Sequence, residues 1–131
     1  MKKQIQVVGA VIINDGLVFC AQRGEHGSLP GLWEFPGGKI EAGEAPSVAL
    51  EREIAEELDC TIEVGDLITT TTYEYEFATV TLTTFYCRLI KGTPTASEHA
   101  AIRWLLPEDL TTVEWAPADI PAVNLIQTHL I

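Results

Sequence analysis

The sequence predicts an α+β fold of the α/β sandwich type, in which a mixed β-sheet lies between helices. Three observations lead to this prediction. Residues 4–13, QIQVVGAVII, are almost continuously apolar, which indicates a central strand. Residues 61–92 contain two long segments rich in Thr, Tyr, Val and Phe, the residue types that favour strands. Residues 46–58 carry apolar side chains at helical spacing. A chain of 131 residues is long enough for one domain with its own core.

The N-terminal part is predicted to form a hairpin. Asn14-Asp15-Gly16 is a turn signal, and residues 17–23 return as a second strand that ends at Arg23. An arginine at a strand end is often only solvated, but its planar guanidinium also matches phosphate oxygens, so both interpretations stay open. Residues 24–31, GEHGSLPG, are predicted to be a loop with His26 at the surface.

The next stretch is predicted to pass from a strand through a turn into a helix. Trp33-Glu34-Phe35 is a short strand, and Pro36-Gly37-Gly38 favours a tight turn in which Gly38 allows the backbone to approach an ion or a phosphate. The helix is predicted over 46–58, because Leu50, Ile54 and Leu58 recur every four residues and Pro46 suits a first helical turn.

The C-terminal half is predicted to contain a long hairpin, a further strand and a helix. The hairpin breaks near Phe77-Ala78 and ends at Gly92-Thr93-Pro94. A strand follows at 102–106, a short helical turn at 107–110, and an amphipathic helix within 115–131. Several aromatic residues are assigned to packing, with one or two able to line a base pocket: Tyr73, Tyr75, Phe77, Phe85 and Tyr86.

Composition narrows the function classes. The net charge of −11 disfavours nonspecific binding to nucleic acid polymers or to anionic membranes. The chain has no apolar run long enough to span a bilayer and no signal-peptide pattern at its start, so we expect a soluble cytoplasmic protein. The three cysteines, Cys20, Cys60 and Cys87, have no metal-site spacing and are expected to be reduced.

The predicted helix carries an unusual arrangement of charge. Glu53, Glu56 and Glu57 project within about 100° of one another, and they crowd the helix C-terminus, where the helix dipole disfavours negative charge. Arg52 is the one cation on this helix and reaches Glu56 one turn later. A solvated acidic face is one interpretation. Clustered carboxylates also suit a hard divalent ion, Mg²⁺ or Mn²⁺, and the placement at the wrong end of the dipole favours that interpretation.

These residues resemble the Nudix box. That pattern is Gly, five residues, Glu, seven residues, Arg-Glu, an aliphatic residue, one residue, Glu-Glu, one residue, Gly and an aliphatic residue. Asp59 and Cys60 stand where the pattern has its last two members, and Asp can adopt the left-handed conformation expected of that helix cap. The matching residues are Gly38, Glu44, Arg52, Glu53, Ile54, Glu56 and Glu57.

The resemblance, which extends over nearly the whole chain, implies a single Nudix hydrolase domain over 1–131 with an α/β/α sandwich. It implies metal ligands at the Gly38 carbonyl, Glu53, Glu56, Glu57 and Glu98. It also implies Glu53 or Glu98 as the general base, with His99 a lesser candidate beside Glu98. Arg52 and Glu44 are assigned to orienting the ligands. The candidate substrate-binding residues are Arg23, Phe35 and Asn124, and Asn124 is as well explained by a position on a helix surface.

The implied activity is Mg²⁺-dependent hydrolysis of a (deoxy)nucleoside triphosphate to a monophosphate and pyrophosphate. The N-terminal half, with EFPGGKIE, looks like MutT-type enzymes that cleave 8-oxo-dGTP. WAPADIP and the SEH run look like the bacterial CTP pyrophosphohydrolase branch. Ala78 stands where the MutT pattern has an arginine, so the base stays open. The alternatives are an ADP-ribose or dinucleotide pyrophosphatase and a nucleotide-binding module without catalysis.

Overall fold

The computed structural model describes residues 2–96 and 98–130. Within these ranges the structure has seven strands, two α-helices and two short 3₁₀ helices. The strands are β1 (Lys3–Asn14), β2 (Leu17–Gln22), β3 (Trp33–Glu34), β4 (Gly37–Lys39), β5 (Thr61–Glu74), β6 (Ala78–Lys91) and β7 (Ala101–Leu105). The α-helices are α1 (Pro46–Leu58) and α2 (Ile120–Leu130), and the 3₁₀ helices are Pro107–Thr112 and Pro117–Asp119.

The sheet is mixed, which confirms the predicted fold class. Its main path runs β3-β2-β1-β6-β5, with β4 paired to β1 and β7 paired to β2. The pairing of β1 with β6 is parallel, and the other strand pairs are antiparallel. Strand β1 is central, as predicted, because β2, β4 and β6 all pair with it.

Alternate residues of β1 enter two different cores. Val8, Ala10 and Ile12 pack with the buried side of α1, and Val11 packs with the buried side of α2. A strand that is buried on both faces needs apolar residues at successive positions, which explains why residues 7–13 lack polar alternation. The sheet therefore lies between the two helices.

Helix α1 has the predicted bounds and caps. It begins at Pro46, and its buried residues are Ala49, Leu50, Ile54 and Leu58. Asp59 follows the helix with φ 53° and ψ 45°, the left-handed conformation. This cap normally uses glycine, and aspartate adopts it at modest cost because its short side chain is tolerated there.

The predicted glycine turn at Gly37-Gly38 is wrong. Both glycines belong to β4, where Gly38 pairs with Val8 and Gly37 with Gly9 of β1. Neither has a positive φ. A Cβ on Gly37 would overlap the carbonyl oxygen of Val8, so glycine is needed here because the two strands approach closely.

The long hairpin β5–β6 turns at residues 75–77, close to the predicted break, and β5 forms an edge of the sheet. Its register with β6 shifts at Thr61/Ile62, at Val64/Leu67 and at Leu67/Thr69. The three cysteines are free and buried, in agreement with the prediction. Within the described ranges, no helix has the length and apolar character needed to cross a membrane.

Candidate active site

A cleft of about 470 Å³ opens at the edge where β1, β4 and the tip of the β5–β6 hairpin meet. The loop after β2, the loop before β7 and the 117–119 segment complete its walls. Two groups of side chains characterise it. The first group, which we call the acidic cluster, consists of the glutamates Glu34, Glu53, Glu57 and Glu98. The second group, which we call the apolar cluster, consists of Tyr75, Leu82 and Ala118, with Val7, Leu29 and Val80 packed around them.

Arg52 organises the start of the acidic cluster. Its Nε and one terminal nitrogen donate to the two carboxylate oxygens of Glu44, at 2.8 and 2.9 Å. Its other terminal nitrogen donates to Glu53 at 3.0 Å and more weakly to Glu56 at 3.4 Å. The two hydrogen bonds that Arg52 donates to Glu44 lower the pKa of the Glu44 carboxyl to about 2. The sequence predicted the contact with Glu56, but the bidentate partner is Glu44, which joins the loop before α1 to the helix.

Glu53 lies against the backbone of β4. A Cβ placed on Gly38 would overlap the Glu53 carboxylate, so this carboxylate takes the space beside the Gly38 peptide. Only glycine leaves that space open. The position of Gly38 in the pattern is thus explained by the approach of the helix carboxylate to the strand backbone rather than by a turn.

Glu57 carries the clearest electrostatic signal in the cleft. Burial, and then the negative charges of Glu53, Glu34 and Glu98, raise its pKa to about 7, while His99 acts in the opposite direction. Burial and neighbouring carboxylates both disfavour the charged form of a carboxyl group. Glu56, by contrast, is exposed over 60% of its side chain.

The acidic cluster fits a hard divalent ion by the chemistry of its donors, which are carboxylate oxygens. The raised pKa of Glu57 agrees with this assignment, because a nearby cation would favour the ionised form. Residues 2–96 and 98–130 contain no group of three or more acidic, histidine or cysteine side chains already placed as metal ligands. The cluster therefore supplies the right donor atoms without a preformed cage.

Glu34 lies between the side chains of Arg23 and His99. Arg23 donates to one carboxylate oxygen at 2.7 Å, and His99 Nε2 lies 3.0 Å from the other. Burial opposes the ionisation of Glu34, but the hydrogen bond from His99 and the charge of Arg23 outweigh it and lower the pKa. Arg23 also donates to the backbone and hydroxyl oxygens of Ser28, so it holds the loop after β2 against β3.

His99 is fixed in the loop that carries Glu98. Its side chain is only 8% exposed, whereas Glu98 is exposed at the cleft. The hydrogen bond with Glu34 raises the pKa of His99, although burial opposes this. The Nδ1 atom is buried and makes no hydrogen bond within the part of the chain that the structure describes. His99 thereby anchors the loop and leaves Glu98 free to face the cleft.

Asp119, like Glu34, is a functional candidate that the sequence interpretation missed. Its side chain is buried, and Oδ1 accepts a hydrogen bond from the Phe35 backbone N–H at 3.1 Å. Burial, and then the charge of Glu34, raise its pKa well above the usual aspartate value. In the sequence, Asp119 follows Pro117-Ala118 just before a helix and resembles an ordinary helix-start residue. Only the packing of the chain brings it next to Phe35.

Aromatic rings flank this part of the cleft. The rings of Tyr75 and Phe77 are stacked, with centroids 5.2 Å apart and an interplanar angle of 10°. Phe77 is 49% exposed and lines the cleft. Phe35 packs its ring 4.6 Å from that of Trp115. Of the five aromatic residues considered from the sequence, the structure places Tyr75 and Phe77 in the cleft wall.

Some of the residues considered from the sequence lie outside the cleft wall, and others line it. Asn124 is an exposed residue of α2 and is not among the residues that line the cleft. Ala78 is buried at the start of β6. His26 is exposed, as predicted, at the rim. The cleft wall contains five of the predicted residues: Arg23, Phe35, Gly38, Glu57 and Glu98.

The chain is similar to known proteins over most of its length. Residues 7–125 match the family model described as NUDIX domain. The chain is 40% identical to the "CTP pyrophosphohydrolase" of Escherichia coli K12, over 93% of this chain and 90% of that protein. It is 42% identical to the "Putative 8-oxo-dGTP diphosphatase 2" of Mycobacterium tuberculosis, over 91% of this chain and 84% of that protein.

A solved structure shows the same similarity. The chain superimposes on the solution NMR structure of the "DNA Mismatch Repair Protein MutT (Family Nudix Hydrolase)" from methicillin-resistant Staphylococcus aureus 252 with a TM-score of 0.81. The two sequences are 54% identical, and the match covers 98% of this chain and 99% of the other.

Proposed function

Because the chain belongs to the Nudix hydrolase family, we propose that it is a cytoplasmic pyrophosphohydrolase that converts a (deoxy)nucleoside triphosphate to a monophosphate and pyrophosphate. One Nudix domain spans 1–131 in this proposal. The observation that carries it is the gathering of the acidic cluster beside a cleft whose other wall is apolar and aromatic. The first feature suits a metal-bound polyphosphate, and the second suits a nucleobase.

Nudix hydrolases generally need a divalent metal ion. We assign Mg²⁺, with Mn²⁺ as an alternative, to the Gly38 carbonyl, Glu53, Glu56, Glu57 and Glu98. When bound, the ion supplies positive charge for the phosphate oxygens and lowers the pKa of water. The exposure of Glu56 leaves its carboxylate able to turn towards such an ion.

Two glutamates can take the proton of the attacking water, Glu53 and Glu98. The new bond forms between the water oxygen and the β-phosphorus, and the bond breaks between that phosphorus and the oxygen that bridges it to the α-phosphorus. The bridging oxygen leaves with the nucleoside monophosphate. Arg52, itself held by Glu44, fixes the direction of the Glu53 carboxylate through its 3.0 Å hydrogen bond. This role requires orientation, which a bidentate arginine provides better than a lysine.

The base is assigned to the apolar side of the cleft. Phe35 and Phe77 offer ring surfaces, and Asp119 offers a buried carboxyl with a hydrogen-bonding edge. Arg23 is assigned to the phosphates and would have to exchange its contact with Glu34 for one with the substrate. Asn124 is retained as a candidate that a substitution can test. The names of the relatives suggest cytosine nucleotides or 8-oxo-dGTP as substrates.

A product assay tests the proposal. The protein is incubated with Mg²⁺ and separately with CTP, dCTP, 5-methyl-dCTP, dGTP, 8-oxo-dGTP and ADP-ribose, and the products are separated by chromatography. We expect monophosphate and pyrophosphate from at least one triphosphate. Cleavage of ADP-ribose alone would assign the chain to a different activity. If no compound is cleaved, even with Mn²⁺, the protein is a binding module rather than an enzyme.

A further inference from the structure

The 117–119 segment lacks a local cap. Its N-cap residue is Ala116, whose side chain cannot accept a hydrogen bond, and Pro117 has no N–H. The first N–H that needs an acceptor is that of Ala118, which is buried. Tyr75 provides the acceptor, since its hydroxyl oxygen lies 2.8 Å from the Ala118 nitrogen. A side chain 43 positions away in sequence therefore caps this segment.

Tyr75 is held firmly enough to serve as a fixed point. Its N–H donates to the Ala78 carbonyl at 2.8 Å, and its own carbonyl accepts from the Lys2 ammonium at 2.7 Å. Its ring lies between those of Tyr73, at 4.6 Å, and Phe77, at 5.2 Å. The residue is 7% exposed. The tip of the hairpin cannot move away from the 117–119 segment without breaking the bond to Ala118.

Asp119 follows Ala118 directly. Its own N–H donates to the Ala116 carbonyl at 2.9 Å, and its carboxyl is fixed by Phe35. The Tyr75–Ala118 bond thus joins the wall that carries Phe77 to the wall that carries Asp119. This bond therefore constrains the spacing between the two walls.

We propose that Tyr75 is a positioning residue for base recognition: its hydroxyl holds the 117–119 segment so that Asp119 keeps a fixed position opposite Phe77. The inference rests on the proposed function, because it assumes that a nucleobase enters this part of the cleft. Tyr75 acts through Asp119 and need not touch the reacting phosphates. It therefore affects which base is accepted more than how fast the anhydride is cleaved.

The first test needs no substrate. Amide hydrogen exchange measured by NMR should show a protected Ala118 N–H in the wild-type protein. In Tyr75→Phe, which keeps the ring stack, this amide should exchange at least about tenfold faster, because its buried acceptor is lost. Tyr73→Phe is the matched control, since this ring belongs to the same stack but is 40% exposed. An unprotected Ala118 in the wild type, or equal exchange in both variants, would overturn the inference.

The second test uses the triphosphate that the wild type cleaves best. In Tyr75→Phe we expect KM to rise about tenfold, kcat to stay within about twofold, and the preference for that base over the others to shrink about tenfold. A fall in kcat with unchanged preference would mean a structural role only. Combining Tyr75→Phe with Asp119→Asn should lose no more preference than the more affected single variant. Additive losses would show that Tyr75 does not act through Asp119.

The two tests separate the inference from the proposed function. If the wild type cleaves no nucleotide, the proposed function fails, and with it the role in base recognition, while the exchange experiment still decides whether Tyr75 caps the segment. If the wild type is active and Tyr75→Phe retains its base preference, the inference alone fails.

Discussion

The two sides of the cleft are built in different ways. On the acidic side, Glu53 and Glu57 come from α1, where Arg52 links Glu44, Glu53 and Glu56 over short sequence distances. The apolar side is assembled from segments far apart in the chain. It depends on single hydrogen bonds such as Phe35 N–H to Asp119 and Ala118 N–H to Tyr75. The difference indicates that the chemistry and the choice of base can be altered separately.

The largest effect is expected at the helix glutamates. Glu53→Gln and Glu57→Gln should each lower kcat at least about a hundredfold, because each change removes a charged oxygen donor, and Glu53→Gln also removes a candidate base. Circular dichroism and thermal unfolding should show a retained fold. Glu51→Gln is the control, since this exposed residue lies on the same helix. Near-wild-type turnover in both variants would contradict the assignment of the acidic cluster to metal binding and catalysis.

Substitutions of the two neighbouring glycines of β4 should affect activity and stability to different extents. In Gly38→Ala the new methyl group meets the Glu53 carboxylate, a movable side chain, so we expect activity to fall at least about tenfold with a smaller loss of stability. In Gly37→Ala it meets the Val8 backbone, which cannot yield, so the loss of stability should be larger, about 2–3 kcal/mol. Urea unfolding and initial rates of the two variants decide this. Equal losses of stability would contradict the described approach of Glu53 to β4.

On the apolar side, Asp119 should make stability depend on pH. Its raised pKa means that the neutral carboxyl contributes stability at low pH, which is lost as the pH rises through the raised folded-state value. Asp119→Asn keeps an oxygen for the Phe35 N–H and does not ionise. The free energy of unfolding of the wild type should therefore fall relative to the variant as the pH rises above the ordinary aspartate pKa of 3.8 towards the raised folded-state value, by at most ~1.4 kcal/mol for each unit of pKa shift. Parallel curves in urea unfolding would show that Asp119 has an ordinary pKa.

The smallest effect is expected at Asn124. It is exposed on α2 and outside the cleft wall, so Asn124→Ala should change KM by less than about twofold for every nucleotide tested. The comparison is with Asp119→Ala, which removes the buried carboxyl and should raise KM about tenfold or more. A larger effect at Asn124 than at Asp119 would restore the base-reading role inferred from the sequence.

The parts predicted correctly from the sequence depend on short-range rules. The bounds of α1, its proline start and its left-handed cap at Asp59 all follow from residues within a few positions of one another. The same holds for the break in the β5–β6 hairpin. The Nudix box also belongs to this class, because it lies within one continuous stretch of chain from β4 through α1.

The parts that the sequence did not predict depend on partners far along the chain. Gly37 and Gly38 suggested a turn because the sequence around them does not show that β1 pairs closely with this segment. Glu34 contacts His99 and Asp119 contacts Phe35 across sequence separations of 65 and 84. Local patterns contain no information on such contacts, because tertiary packing sets them.

We expect the irregular register of β5 to weaken the pairing of this sheet edge with a strand of another molecule. An edge strand offers unpaired N–H and C=O groups on which a strand of another molecule can assemble, the first step of many aggregation reactions. The register shifts between Val64 and Thr69 interrupt the regular spacing that such growth requires. Asp66 adds an exposed carboxylate to the same edge, whereas the exposed Glu63 and Glu74 pair with Arg88 and Lys2. In a chain with a net charge of −11, a second copy that approaches this edge meets repulsion before it can add a strand.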